Sequence, residues 1–498
     1  MSYLGVDIGT SSCKAVVFDA AGKLLAQAFR EYRVSSPHSG WAELDSEQVC
    51  RACLEAIGEA NSACAADPVR ALGISSQGEA FTPVDAAGSC LAHAQVSFDA
   101  RAAGLARDWS TEFGRERLYR ITGHTAHPMF TLFKLLWLRD NEPRIWARAA
   151  RFLCFEDLLH LRLGVEPAMG WPLAGRTMLF DVRKHVWDGE ILRCVGLEPT
   201  RLARSLPAGA VVGAVPRRTG ETLGFSRAVL VVAGGHDQPV SALGGGITTP
   251  GMAAYATGTT ECITPAFATP AFSQELLEGN LCTYDFSLPG MYCTVAFSLT
   301  GGNILKWFRD EFGAVETAEA GRTGVPAYEI LLRELSPQPT PLLVLPYFTP
   351  SGTPYFDPQT TGAILGLRLT TSRGEVLRAL LEGVAFEMRL NLDILQRSGV
   401  NIRELRATGG GARNPAWTQL KADVLDKPIT GVAVTECGAL GAALLAAAAD
   451  NGTAAQVLAQ EWVRTGQVFE PNQARAAHYR AQFEQYKRLY PALQALRK

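Results

Sequence analysis

One local design occurs twice in this chain, half its length apart, and it narrows the available folds more than any other feature. Tyr3 to Ile8 alternates as a strand, turns through Gly9-Thr10-Ser11-Ser12 and returns as Lys14 to Asp19. Met252 to Ala256 likewise turns through Thr257-Gly258-Thr259-Thr260 and returns as Glu261 to Pro265. After the first pair, Ala20-Ala21-Gly22 leads to a third strand, Lys23 to Tyr32. A helix with Asp45 as N-cap then runs to Ala65, and a strand Arg70 to Ser75 follows. The order is βββαβ, and its second start implies two related halves.

The rest of the second half alternates in the same manner. Strands are expected at Tyr292 to Phe297, Pro341 to Tyr347, Leu405 to Thr408 and Ile429 to Val434, and helices at Gly302 to Phe312, Arg373 to Gln396, Pro415 to Leu425 and Gly438 to Ala449. Alternation of this kind buries a sheet between helices, so the fold class is α/β, with two domains facing a cleft, 1–246 and 247–498. Composition agrees: 498 residues, 47% apolar and 19% charged, is a folding chain of two or more domains.

Charge and cysteine usage exclude several functions. A formal charge of -2 lacks the basic excess of a nucleic-acid binder. Eleven cysteines are scattered singly, and Cys50-Arg51-Ala52-Cys53, the one C-x-x-C, falls in an amphipathic helical stretch without a partner pair. These read as thiols of a reducing cytoplasm. Met1 to Phe18 lacks a basic start and carries Asp7, unlike a signal peptide. Gly438 to Ala449 is too short to span a bilayer, so no membrane partner is expected.

Four segments carry chemistry. In the first turn Gly9 lets backbone amides approach an anion, Thr10 and Ser11 add hydroxyls, and Asp7 can hold Mg²⁺, directly or through water, opposite a phosphate. Alone, such a turn is an ordinary hairpin. The second turn, Gly258-Thr259-Thr260, stands where it could clamp the same anion from the other domain. Thr408-Gly409-Gly410-Gly411-Ala412-Arg413-Asn414-Pro415 joins a strand to a helix, and its glycines let a nucleotide press on the backbone. Finally, Gly234-Gly235-His236-Asp237-Gln238 follows the strand Ala228 to Ala233, where a carboxylate points into the crevice of an α/β sheet. Asp237 is the first choice for a general base, and His236 reads as a satisfied loop histidine.

These segments, in this order, resemble the FGGY family of carbohydrate kinases, of the sugar kinase, Hsp70 and actin superfamily. Met129 to Asn141 matches the first family signature, and Gly362-Ala363-Ile364-Leu365-Gly366-Leu367, continuing to Glu375 and Glu382, matches most of the second. Ser97-Phe98 departs from it where many members have tryptophan, and Pro350 to Pro354 matches only in part. The resemblance implies two ribonuclease-H-like (actin-like ATPase) domains flanking a cleft, and transfer of the γ-phosphoryl group of Mg-ATP to a sugar hydroxyl. It implies Asp7 at the metal and phosphate site and Asp237 as the base. Gly9, Thr10, Ser11, Gly258, Thr259 and Thr260 fall at the phosphates, and Gly302, Gly410, Gly411 and Asn414 on the nucleotide side. Ser76, Gln77, Glu79, Asp99, Arg101 and Gln238 fall around the sugar. A ketopentose such as D-xylulose ranks first, gluconate or a deoxy-ketohexose next, and a homodimer is compatible with it. Rival classes are a chaperone-like ATP-binding protein and an acyl or carboxylate kinase of the same superfamily.

Overall fold

The computed structural model describes residues 1–496. In the first half β1 (Ser2–Ile8), β2 (Ser12–Asp19) and β3 (Leu24–Glu31) form an antiparallel meander. Helix α1 (Ser46–Ser62) follows, N-capped by Asp45, whose carboxylate accepts from the amides of Glu47 and Gln48. The chain re-enters the sheet parallel to β1 as β4 (Val69–Ser76). After a long insertion that includes α2 (Phe155–Leu163), it adds β5 (Val211–Ala214) and β6 (Leu230–His236) and ends in α3 (Asp237–Gly244). The strand order is β5-β6-β4-β1-β2-β3.

The second half rebuilds this plan. β7 (Met252–Thr257) pairs antiparallel with β8 (Glu261–Phe267); β9 (Tyr284–Asp285) pairs with β10 (Tyr292–Cys293), and β10 and β11 (Ala296–Ser298) both pair with β8. Helices α4 (Gly302–Phe312) and α5 (Arg373–Arg397) come next. Then β12 (Glu404–Thr408) lies parallel to β7, and α6 (Pro415–Leu425) leads to β13 (Ile429–Val432). Helix α7 (Cys437–Asn451) and β14 (Thr465–Phe469) complete it. Thus β1, β2, β4, β6 and α3 have counterparts in β7, β8, β12, β13 and α7, and the two related ribonuclease-H-like halves are present.

Three expectations are adjusted. The strand expected at 292–297 is two short ones, because β10 and β11 pair with different parts of β8. The strand expected at 341–347 covers only Leu343–Leu345. The strand expected to stop at Ala233 continues to His236 through a bulge, with Gly234 out of register between Ala233, paired to Ile74, and Gly235, paired to Ser75. Gly235 has φ +122°, a backbone that side chains rarely adopt.

Helix α7 comes from the second half of the sequence yet packs into the first sheet. Gly5 and Gly73 lie side by side across β1 and β4, and a methyl group on either would sit 1.8 Å from the Ala439 carbonyl or 2.2 Å from that of Ala442. The helix backbone therefore rests directly on the sheet. It crosses α3 as closely, since a methyl on Gly441 would meet the Val240 carbonyl at 1.9 Å. No described helix is long and apolar enough to cross a membrane.

Candidate active site

The C-terminal ends of β1, β4 and β6 bring two of the four segments together with the Ser75–Glu79 stretch. Asp7, near the end of β1, accepts a hydrogen bond from Ser75 Oγ at 2.9 Å. Burial pushes its carboxyl above the ordinary range, against the opposing pull of Lys14. Lys14 in turn bonds Glu436 at 2.6 Å, just ahead of α7. The start of that helix lies against Asp7, for a methyl on Gly438 would fall 2.4 Å from the carboxylate. An anion or a carboxylate is favoured at such a helix start.

The first turn is braced rather than free. Gly9 N–H donates to the Ser12 carbonyl at 2.9 Å, and Tyr32 OH and Gln77 Nε2 donate to the Gly9 carbonyl at 2.7 and 3.0 Å. Thr10 Oγ1 reaches Gln77 Oε1 at 3.3 Å, while Ser11 is exposed. Gln77, which the family resemblance implies at the sugar, thus braces the first turn.

Asp237 begins α3 directly after β6. Its side chain keeps 26% of its surface open, so the carboxylate is partly accessible. Burial, with Asp7 and Glu79 as neighbouring negative charges, raises its carboxyl to about 7. Oδ1 lies 3.2 Å from His236 Nε2, and His236 Nδ1 lies 2.9 Å from Tyr284 OH on β9. Burial holds His236 far below its ordinary value, so the ring is neutral. Next to it, Gln238 Oε1 accepts from Cys262 Sγ at 3.3 Å, which ties α3 to β8 immediately beyond the second turn.

The remaining first-half candidates divide into two groups. Ser76 and Glu79 are buried beside Asp237, and Glu79 adopts φ +64°. Arg176, absent from the sequence reading, bonds Glu79 at 2.6 Å through Nε and lies over the rings of Phe130 and Tyr284 at 4.9 and 5.6 Å. Ser97 Oγ donates to the other Glu79 oxygen at 2.8 Å. Asp99 and Arg101 instead face each other: Arg101 Nη2 bonds Asp99 and Glu43, both at 2.7 Å, and its guanidinium stacks 3.6 Å over Trp41. The second Asp99 partner is the Ala42 amide at 2.7 Å. This knot joins the loop at 40–43 to the loop at 96–101.

Across the cleft, Gly258, Thr259 and Thr260 form an exposed turn closed by Gly258 N–H to the Thr260 carbonyl at 3.0 Å. The start of α4 supports it: Gly302 and Asn303 N–H donate to the carbonyls of Gly258 and Thr259 at 2.8 and 3.2 Å. A methyl on Gly302 would sit 2.6 Å from the Gly258 oxygen. Beyond β12, Gly409 at φ +89° passes so near Thr257 that a methyl would lie 2.6 Å from its carbonyl. Gly410 has open space around it, and Asn414 caps α6 by accepting from the Trp417 amide at 3.0 Å. Gly409, Gly410, Ala412, Arg413 and residues 431–435 line a cavity of about 460 Å³. That volume suits a nucleoside.

The family model described as "FGGY family of carbohydrate kinases, N-terminal domain" matches residues 2–244, and that of the C-terminal domain matches residues 253–449. A xylulose kinase of Escherichia coli is 29% identical over 99% of each chain, and a glycerol kinase of a Polaromonas strain is 33% identical over 90% of each. Among solved structures, a "xyloylose kinase" from Brucella ovis superposes with a TM-score of 0.91 at 30% identity, covering 100% of both chains.

Proposed function

Since the chain belongs to the FGGY family of carbohydrate kinases, and is therefore a phosphotransferase that uses ATP, we propose that it phosphorylates a small ketose, D-xylulose first, with Asp237 as general base. The observation that carries this reading is the partly open Asp237 carboxylate at the start of α3, beside Asp7 and Glu79 and raised to about 7. The chain divides for this purpose at 246/247, the first half holding the sugar and the second the nucleotide.

In this mechanism the two Gly-Thr turns grip the phosphate chain from opposite sides, the first through Gly9, Thr10 and Ser11, the second through Gly258, Thr259 and Thr260. The cavity beside Gly410 and Gly411 takes the adenosine. Ser76, Glu79 and Gln238 face the sugar, with Arg176 fixing Glu79. Asp237 accepts the hydroxyl proton as that oxygen attacks the γ-phosphorus in line, and ADP leaves. Most of the rate enhancement comes from alignment and charge stabilisation, since phosphoryl transfer demands little covalent work of the protein. A bound magnesium ion would offset the negative charge of the phosphate chain. Asp7 is the residue that would hold it. Among the described residues no group of three acidic, histidine or cysteine side chains forms a closed cage.

The expected result with a panel of D-xylulose, D-gluconate, L-fuculose and glycerol is sugar-dependent ADP release, largest with D-xylulose. Preference for glycerol would move the assignment to the other kind of relative. ADP release indifferent to every acceptor would remove the carbohydrate-kinase activity.

The pH profile has a defined sign. Asp237 works only when ionised, so kcat/KM should climb with pH and level off above an apparent value of about 7. The same shift acts oppositely on stability. A carboxyl raised from 3.8 in the folded chain contributes fully below about pH 4, and this contribution is lost as pH rises through about 7. A profile already flat at pH 5 would contradict the assignment.

A further inference from the structure

The bulge in β6 raises a specific accounting question. A bulge removes one residue from the ladder, and the orphaned amide needs a partner when it is buried. Gly234 is that residue, and its surroundings leave no slack: a methyl on it would lie 2.0 Å from the Ile74 carbonyl. Its N–H donates to Glu156 Oε1 at 2.8 Å. Glu156 Oε2 accepts at 3.0 Å from the amide of Gly170, which also approaches this bend, a methyl there lying 2.9 Å from the Gly234 carbonyl. Glu156 stands in the first turn of α2 and is 0% exposed.

A carboxylate in this place is expensive, because burial raises it to about 8 and only two backbone amides compensate. Asp157 beside it has a separate task, capping α2 through the Cys154 amide at 3.1 Å. Glu156 contributes nothing comparable to its own helix. What its two oxygens hold is the path of the chain three residues before Asp237.

We propose that Glu156 is a positioning residue for phosphoryl transfer: by clamping the Gly234 and Gly170 amides it fixes the bulge that aims Asp237 into the cleft. This rests on the reading of Asp237 as the base. A base displaced by about 1 Å loses on the order of a hundredfold in rate, whereas a nucleotide held by the two turns and the far cavity does not sense the displacement.

The test compares Glu156→Gln and Glu156→Asp with wild type and with Asp237→Asn, using the best acceptor of the panel. Glu156→Gln keeps the size but faces one amide with an NH₂ group. Its kcat should fall ten- to a hundredfold, with KM for ATP within about twofold of wild type. Glu156→Asp, shorter by one methylene and able to hold one amide, should fall between the two. Wild-type kcat in Glu156→Gln overturns the clamp while leaving the base intact. Activity surviving in Asp237→Asn overturns the base itself. If Glu156→Gln does not fold, Glu156→Asp decides alone. Hydrogen exchange in the wild type is an independent reading: within the peptide 231–236 the Gly234 amide should take up deuterium slowly, and fast exchange at that amide overturns the proposal.

Discussion

Asp237→Asn should leave nucleotide binding unaltered and lower kcat by a factor of 10² to 10⁴, the range that a positioned general base supplies. The asparagine matches the carboxylate in size but has no basicity at neutral pH. Because Asp237 Oδ1 lies beside neutral His236 and the side chain is partly open to the cleft, the replacement creates no unpaired buried charge. The loss should therefore appear in kcat, with melting temperature and ADP affinity retained. Titration calorimetry with ADP and steady-state ADP release in parallel separate the two effects. An Asp237→Asn enzyme within tenfold of wild type would remove Asp237 from the reaction.

The second large effect concerns stability. Lys421 and Glu261 form a buried ion pair at 2.5 Å, with side chains 2% and 0% exposed. Lys421 also lies 4.1 Å above the Trp417 ring, and Tyr255 OH donates to the other Glu261 oxygen. Lys421→Met keeps the length of the side chain but leaves Glu261 without its cation. Breaking one side of a buried pair costs about 3–5 kcal/mol, which for a lobe of this size lowers the thermal midpoint by roughly 10 °C. Glu261→Gln in the same chain removes the stranded charge and should recover much of the loss. Glu261 directly follows the second Gly-Thr turn and pairs with Thr257 across it, so Lys421→Met should also weaken nucleotide binding. Differential scanning of the single and double variants reads the first effect, and an unchanged midpoint in Lys421→Met would show that the pair does not hold the lobe.

What the sequence disclosed and what it withheld have a common physical basis. The two β-turn-β starts, the Asp45 cap and the glycine loop before α6 are local patterns, and each was legible because its partners lie within a few residues. The groups around Asp237 are not local: Glu156 reaches Gly234 over 78 residues, Arg176 reaches Glu79 over 97, and His236 meets Tyr284 over 48. No periodicity marks such residues. The paired glycines at 234 and 235 read as a turn that ends the strand, because a bulge and a turn draw on the same backbone freedom. Polar type also leaves partners open: that Gln77 braces the first turn is visible only in the Gly9 carbonyl 3.0 Å away.

The seating of α7 bears on how such a chain can be divided. Its glycine-lined bed belongs to the N-terminal half, yet the helix that fills it is made nearly two hundred residues after the midpoint of the sequence. Expressed separately, the leading half would carry an uncovered groove along β1 and β4, and the trailing half an apolar helix with nowhere to lie. Fission of the gene between the halves would therefore yield two fragments that each need the other, and during synthesis the first sheet waits for almost the whole chain before it is complete.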